Sequence, residues 1–164
     1  MEFKSLHYGY TVSAAQCVRE VISPLPFYSQ EARTQEIAKF SSDNLWTFVG
    51  DKNHCNIVAI ENGEVVGFLF GVVDANVLFV TWLGMKEKYR HSGHMQTLWN
   101  KMEDWCRERN IRRVWLDTNQ LNIPAIEFMH KVGLKVCGVL ANFWYGHDYL
   151  LWEKTIDGKP NGEL

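Results

Sequence analysis

The sequence is poor in the features that mark most specialised classes of protein. Its 164 residues include only four cysteines, Cys17, Cys55, Cys106 and Cys137, which lie far apart with no C-x-x-C pair. That spacing excludes a disulfide framework and a zinc ribbon, and fits reduced, mostly buried thiols with no metal expected. No apolar run approaches the roughly 20 residues of a membrane span, and the start, Met1 to Tyr10, lacks a basic segment followed by an apolar one. A membrane partner is therefore not expected, and the chain is expected in the cytoplasm. An excess of one charge is also missing: 17 basic and 19 acidic side chains leave a formal charge of −2. The densest basic group, Arg107, Arg109, Arg112 and Arg113, is too sparse for a duplex-binding footprint, so no nucleic acid is expected as partner. Repeats, low-complexity tracts and Pro/Ser-rich linkers are absent.

What is present is enough apolar material for one ordinary domain: 46% of the residues are hydrophobic and 13% aromatic. A chain of this length buries roughly 70% of the surface exposed by its unfolded form and needs no staple to hold a core. The expected domain covers 1–156, with a polar tail over 157–164. A strand near 3–8 precedes a helix over 13–22, where Ala14, Cys17, Val18, Val21 and Ile22 recur at helical spacing. Ser23, Pro24 and Pro26 end that helix, and a loop with Phe27 and Tyr28 leads to a second, polar helix around 34–40.

From Cys55 the pattern becomes β-rich. Runs over 57–60, 65–73 and 77–85 are joined by the Asn62-Gly63 turn and a short turn at 74–76, which predicts an antiparallel meander. A long amphipathic helix follows over 92–109, with Met95, Leu98, Trp99, Met102, Trp105 and Cys106 on one face. After a strand over 114–118, Asn122 is a natural N-cap, Pro124 suits a first turn and Gly133 suits the end of a helix over 123–132. Strands over 134–140 and 149–154 close the chain. The whole predicts a mixed α/β (α+β) fold with a central, mostly antiparallel sheet flanked by helices.

Two blocks carry chemistry. In the first, Tyr89-Arg90-His91-Ser92-Gly93-His94 sets a glycine turn where a helix begins. The free N–H groups of such a turn and the positive end of the helix dipole make a place for phosphate. The second block is Asn122-Ile123-Pro124-Ala125-Ile126-Glu127-Phe128-Met129-His130-Lys131-Val132-Gly133-Leu134. Together they resemble the GNAT superfamily of acetyl-CoA-dependent N-acetyltransferases. The first matches the pyrophosphate motif (Gln/Arg)-x-x-Gly-x-(Gly/Ala), and the second the Asn-x-x-Ala-x-x-Phe-Tyr-x-x-x-Gly-Phe pattern, in matching order over about 57–154.

The resemblance implies a cosubstrate, acetyl-CoA, and assigns its contacts. Arg90, His91, Ser92, Gly93, His94, Met95 and Gln96 would hold the pyrophosphate; Leu83, Gly84 and Met85 would pair with the pantetheine arm; Asn122 would lie beside that arm. A backbone N–H near Leu83 or Gly84 would polarise the thioester carbonyl. Asp117 stands where ribosomal-protein N-terminal acetyltransferases carry a glutamate base and, being one methylene shorter, would act through a water. Thr81 and Trp82 stand where other members carry an acid on the third meander strand, so that alternative base is missing. Asn142-Phe143-Trp144-Tyr145-Gly146-His147-Asp148-Tyr149 resembles the Asn-Tyr-Tyr loop of peptide N-terminal acetyltransferases. Its Trp144, with Phe27 and Tyr28, would wall the acceptor pocket.

The sequence departs from the family at two positions. Met95 replaces Gly or Ala beside the phosphate path, and Met129 replaces the tyrosine that protonates the departing thiolate in many members. Methionine has no proton to give. Tyr145 or His147 is the candidate substitute, and a thiolate whose acid titrates near pH 8.5 also leaves without help. The implied reaction is direct attack of a primary amine on acetyl-CoA in a ternary complex, with the identity of the amine and a homodimer left open. The competing readings are a non-catalytic acyl-CoA-binding or sensing module and a donor with an acyl chain longer than acetyl.

Overall fold

The computed structural model describes residues 1–157, so the tail expected over 157–164 lies, from 158 onward, outside the described residues. Seven strands form one sheet: β1 (Glu2–Ser5), β2 (His54–Glu61), β3 (Glu64–Asp74), β4 (Val77–Met85), β5 (Arg113–Asn119), β6 (Lys135–Leu140) and β7 (Tyr149–Thr155). Their order is β1-β2-β3-β4-β5-β7-β6. Neighbours are antiparallel except β4 and β5, which are parallel, so the sheet is mixed as the sequence predicts. Five helices flank it: α1 (Thr11–Ile22), α2 (Gln30–Ala38), α3 (Ser42–Phe48), α4 (His94–Glu108) and α5 (Ile123–Lys131).

Strand alternation divides the core in two. Val58 and Ile60 of β2, with Phe68 and Phe70 of β3, pack against Ala14, Cys17, Val18 and Val21 of α1. Ile57 and Ala59 of β2 point to the opposite face and meet Leu98, Trp99, Met102 and Cys106 of α4. Each of the larger aliphatic and phenylalanine side chains among these contributes about 1.5–3 kcal/mol. A carboxylate sits within the apolar stripe of α4. Glu103 is buried there and accepts from Trp99 Nε1 (2.7 Å), Arg107 Nη2 (3.0 Å) and the β7 ammonium Lys154 Nζ. The last of these ties α4 to the far half of the sheet. Cys17, Cys55 and Cys106 are buried free thiols, whereas Cys137 is exposed at a bulge in β6.

The elements differ from the sequence reading where caps outweigh apolar spacing. The first strand ends at Ser5, because residues Tyr8–Tyr10 close a 3-10 turn that His7 Nδ1 caps by accepting from Gly9 N (3.2 Å). α2 begins at Gln30 rather than near 34, since Ser29 Oγ accepts from Ala32 N (3.1 Å). α3, capped by Ser41 Oγ on Asn44 N (3.2 Å), is a short helix without an apolar period and was missed. α4 starts at His94 rather than at 92, because Gly93 lies at φ +83, outside any right-handed helix.

Gly84 fixes how close α1 lies to β4. A Cβ at this position would fall 2.5 Å from Val21 Cγ1 and 3.1 Å from Phe68 Cζ. Gly84→Ala should therefore overpack the α1 face and destabilise the fold by about 1–3 kcal/mol, read as a lowered urea midpoint with an unchanged m-value.

Candidate active site

β4 and β5 are hydrogen-bonding neighbours only at their first residues, Val77, Leu78 and Phe79 against Arg113, Val114 and Trp115. Beyond them the strands part. The cause is visible on the other side of β4: Phe70 opposes Trp82 while Gly71 opposes Val80, leaving Thr81 as an extra, unpaired residue. Its hydroxyl donates to Phe70 O (3.1 Å). Such a bulge bends its strand and increases local twist. β5 meanwhile stays paired with β7 through Asn119. The divergence opens a cleft of about 970 Å³ that runs from the head of α4 to the turn before β7.

One end of the cleft is built from main chain. Lys86 N donates to Val66 O (2.9 Å), so strand alternation turns the amides of Gly84 and Trp82 toward β3 and those of Leu83 and Met85 into the gap. Arg90 folds back, its Nε donating to Met85 O (3.0 Å), and thereby holds the loop under the α4 terminus. His91 and Gly93 both have positive φ, +60 and +83. No side chain caps α4, and its first intrahelical acceptor, Gly93 O, is already used by Thr97 N (3.1 Å). The amides of the first turn thus face outward at the positive end of the helix dipole. A Cβ on Gly93 would meet nothing within 4 Å, so the space above the turn is open. These features fit the pyrophosphate of coenzyme A.

The expected contacts of this end separate into two sets. Leu83, Gly84, Met85, Arg90, His91, Gly93, Met95, Gln96 and Asn122 line the cleft. Ser92 and His94 do not have side chains in its wall: Ser92 Oγ donates to Tyr89 O (2.7 Å), and the His94 ring lies 6.1 Å from that of Phe3. Only their amides are available. Asn122 Oδ1 caps α5 by accepting from Ala125 N (3.3 Å). Met129, at the position of the missing tyrosine, is 1% exposed and shared between core and cleft.

The opposite end is lined by side chains. Asp117 projects from β5 into the gap beside Tyr28, Tyr145, Tyr149 and Trp144. Burial raises the proton affinity of its carboxyl above the ordinary carboxylate range, the nearby Trp144 indole donor pulls it back, and the charge of Glu36 raises it again. Glu36, on α2, was not found by the sequence reading. It is 7% exposed; its Oε2 accepts from Trp82 Nε1 (2.8 Å), and its Oε1 from Tyr145 Oη and Lys39 Nζ (both 2.6 Å). A carboxylate thus reaches the Trp82 position from another element. Tyr149 Oη donates to Tyr28 Oη (3.2 Å). Phe27 stands behind this wall, edge-on to Tyr28 at 4.9 Å, and His147 is likewise outside the lining. Tyr145 holds an unusual left-handed conformation (φ 55, ψ 27), and its hydroxyl proton is directed to Glu36.

Residues 18–134 match the model of the acetyltransferase (GNAT) family, and the chain belongs to that family. Its members move an acetyl group from acetyl-CoA to a primary amine, and this chain is an acetyl-CoA-dependent N-acetyltransferase. A Bacillus subtilis (strain 168) relative, whose name proposes alanine N-acetylation of ribosomal protein bS18, is 23% identical over 121 residues, 72% of this chain and 80% of the relative. Among solved structures, PaiA N-acetyltransferase from Thermoplasma acidophilum, in complex with coenzyme A, superposes with a TM-score of 0.82 at 22% identity, covering 94% of this chain and 98% of that one. The ribosomal-protein-S18-alanine N-acetyltransferase from Escherichia coli gives 0.72 at 14% identity, covering 99% and 98%. These likenesses show a shared fold. Among the described residues no helix is long and apolar enough to cross a membrane, and no group of His, Cys, Asp and Glu is arranged to hold a metal ion.

Gly93→Glu places a carboxylate and a strained left-handed side chain in the proposed phosphate cradle. The left-handed conformation alone costs about 1–2 kcal/mol, and like charge repels the ligand. Calorimetric titration with coenzyme A should show affinity lowered by about tenfold or more; an unaltered dissociation constant would move the phosphate site elsewhere.

Proposed function

We propose that Asp117 is the general base of this acetyltransferase and that the amine attacks directly, without a covalent enzyme intermediate. The observation that carries this reading is the position of Asp117: a mostly buried carboxylate of raised proton affinity on the wall of the gap between β4 and β5. An alkylammonium with a pKa near 10 must lose a proton before its lone pair is free, and a carboxylate made more basic by burial is better matched to that task at neutral pH. Its short side chain acts through one water.

The bound thioester supplies a carbonyl carbon open to attack and a thiolate as leaving group. The protein's share is alignment and charge. The outward amides of the α4 head, with Arg90 supporting the loop, hold the phosphates, and the Leu83 and Met85 amides line the arm. In this reading the Leu83 N–H, which strand alternation turns into the gap, rather than that of Gly84, donates to the carbonyl oxygen as negative charge develops. The ammonium first gives one proton to Asp117 through the water; the freed lone pair then forms the C–N bond, the second nitrogen proton passes from the adduct to solvent, and the C–S bond breaks. With Met129 unable to donate and Tyr145 committed to Glu36, the thiolate takes its proton from solvent. Tyr28, Trp144 and Tyr145 form the aromatic wall against which the acceptor packs.

Asp117→Asn should lower kcat/KM by about 100-fold at neutral pH and by much less where the free amine predominates, measured as thiol release with an alkylamine panel. A pH–rate profile unchanged by the substitution would remove Asp117 from the chemistry. Tight binding of acetyl-CoA without thiol release from any amine would support a sensing module instead. Stability should move the other way. A carboxyl whose pKa is raised on folding favours the folded state at low pH and loses that contribution as pH rises through the raised value. The neutral amide lacks this penalty, so Asp117→Asn should melt higher than the parent at neutral pH.

A further inference from the structure

Three charged side chains lie together at the acceptor end of the cleft: Asp117 on β5, Glu36 on α2, and Lys39, the residue that caps the end of α2. Glu31, on the exposed first turn of α2, is outside the lining, although its charge reaches the Tyr145 hydroxyl. Within the lining of this end, two carboxylates and one ammonium leave a single negative charge. The arrangement of Glu36 is unusual for a helix-surface ion pair. Its carboxylate is nearly inaccessible and held by two neutral donors from distant elements, the Trp82 indole of β4 and the Tyr145 hydroxyl of the turn before β7. Among the described residues its charge is balanced only by Lys39, three positions on at the C-cap of the same short helix, whose side chain is 54% exposed. The Lys39 ammonium also lies 5.9 Å from the centre of the Trp144 ring, at the edge of the aromatic wall. One anion is therefore fixed rigidly in the pocket, while the compensating cation stands at its mouth.

Resting on the acetyl-transfer reading above, we propose that the Glu36–Lys39 pair selects the charge of the acceptor, so that the pocket takes a primary amine with one positive charge and an apolar body and rejects polycations. A monocationic acceptor neutralises the remaining negative charge and lays its carbon skeleton on Tyr28, Trp144 and Tyr145. A second ammonium on the same molecule would enter beside Lys39 and meet like charge there. Discrimination of this kind comes from a repulsive group as much as from an attractive one. Lys39 and Glu36 both act on the Asp117 carboxyl, in opposite senses, which places all three groups in one electrostatic neighbourhood.

The test compares kcat/KM for hexylamine and hexamethylenediamine, acceptors of one length that differ in charge, at fixed ionic strength. The parent protein should favour the monoamine. Lys39→Gln should shift the ratio toward the diamine by about tenfold without changing coenzyme A affinity, and Lys39→Arg, which keeps the charge, should preserve the parent ratio. A structural role for the pair would alter melting or both amines equally. A ratio unmoved by Lys39→Gln, or a parent that prefers the diamine, overturns the proposal while leaving acetyl transfer intact. Failure of the parent to acetylate any amine, with coenzyme A bound, overturns both readings.

Discussion

The separation of β4 from β5 is the constraint on which the rest of the site depends. Two parallel neighbours that remained paired along their length would bury their facing amides and carbonyls in a continuous ladder, with no entry for a ligand between them. Pairing stops after Phe79 and Trp115, and the extra residue at Thr81 turns β4 aside. The main-chain groups this frees at Leu83 and Met85 would be costly orphans in a closed sheet, since a buried unpaired amide loses its hydration without compensation. In an open cleft they are free to meet a ligand. Gly84 belongs to the same arrangement from the opposite face, because its missing Cβ lets α1 support β4 just where the strand lacks a neighbour.

The two ends of the cleft work by different physics. The proposed phosphate cradle at the α4 end consists of backbone dipoles fixed by positive φ at His91 and Gly93, a form of recognition largely indifferent to side-chain identity. On that proposal Met95 is compatible with the position where the family motif has a small residue: the amide remains, and the side chain joins the cleft wall. The acceptor end is built from side chains delivered by α2, β4, β5, β7 and the turn at Trp144–Gly146. Its charges influence one another across a partly desolvated space, where Coulomb interactions are stronger than in water. Tyr145 shows the coupling of local strain to this network, since its left-handed backbone is held with its hydroxyl on a carboxylate 109 positions away in sequence.

Most of the architecture was legible in the residues, because apolar periodicity and punctuation by glycine, proline and asparagine are local signals. The meander at Asn62-Gly63, the amphipathic α4 and the Asn122 cap lie where these signals place them. The failures were also local in origin. α3 has a good serine cap but too little apolar period to stand out, and the 3-10 turn at Tyr8–Tyr10 imitates the end of a strand. The turn, the glycine and the helix start of the proposed phosphate end were equally readable as local structure, since one short segment contains all three.

The acceptor end was only half readable. Asp117, Tyr28, Trp144 and Tyr145 stood out by motif, but nothing in the chain points from Glu36 to Trp82, 46 residues later, or to Tyr145. Phe27, next to Tyr28 in sequence, could not be assigned to the back of the wall without side-chain directions in three dimensions. The sequence by itself determined most of the elements, their order and the glycine turn at the head of α4, because each depends on contacts within a few residues. The tertiary structure alone decided which charges share the pocket and which amides face the gap. Those depend on strand register, a bulge and the docking of α2 over the sheet, none of which a one-dimensional pattern records.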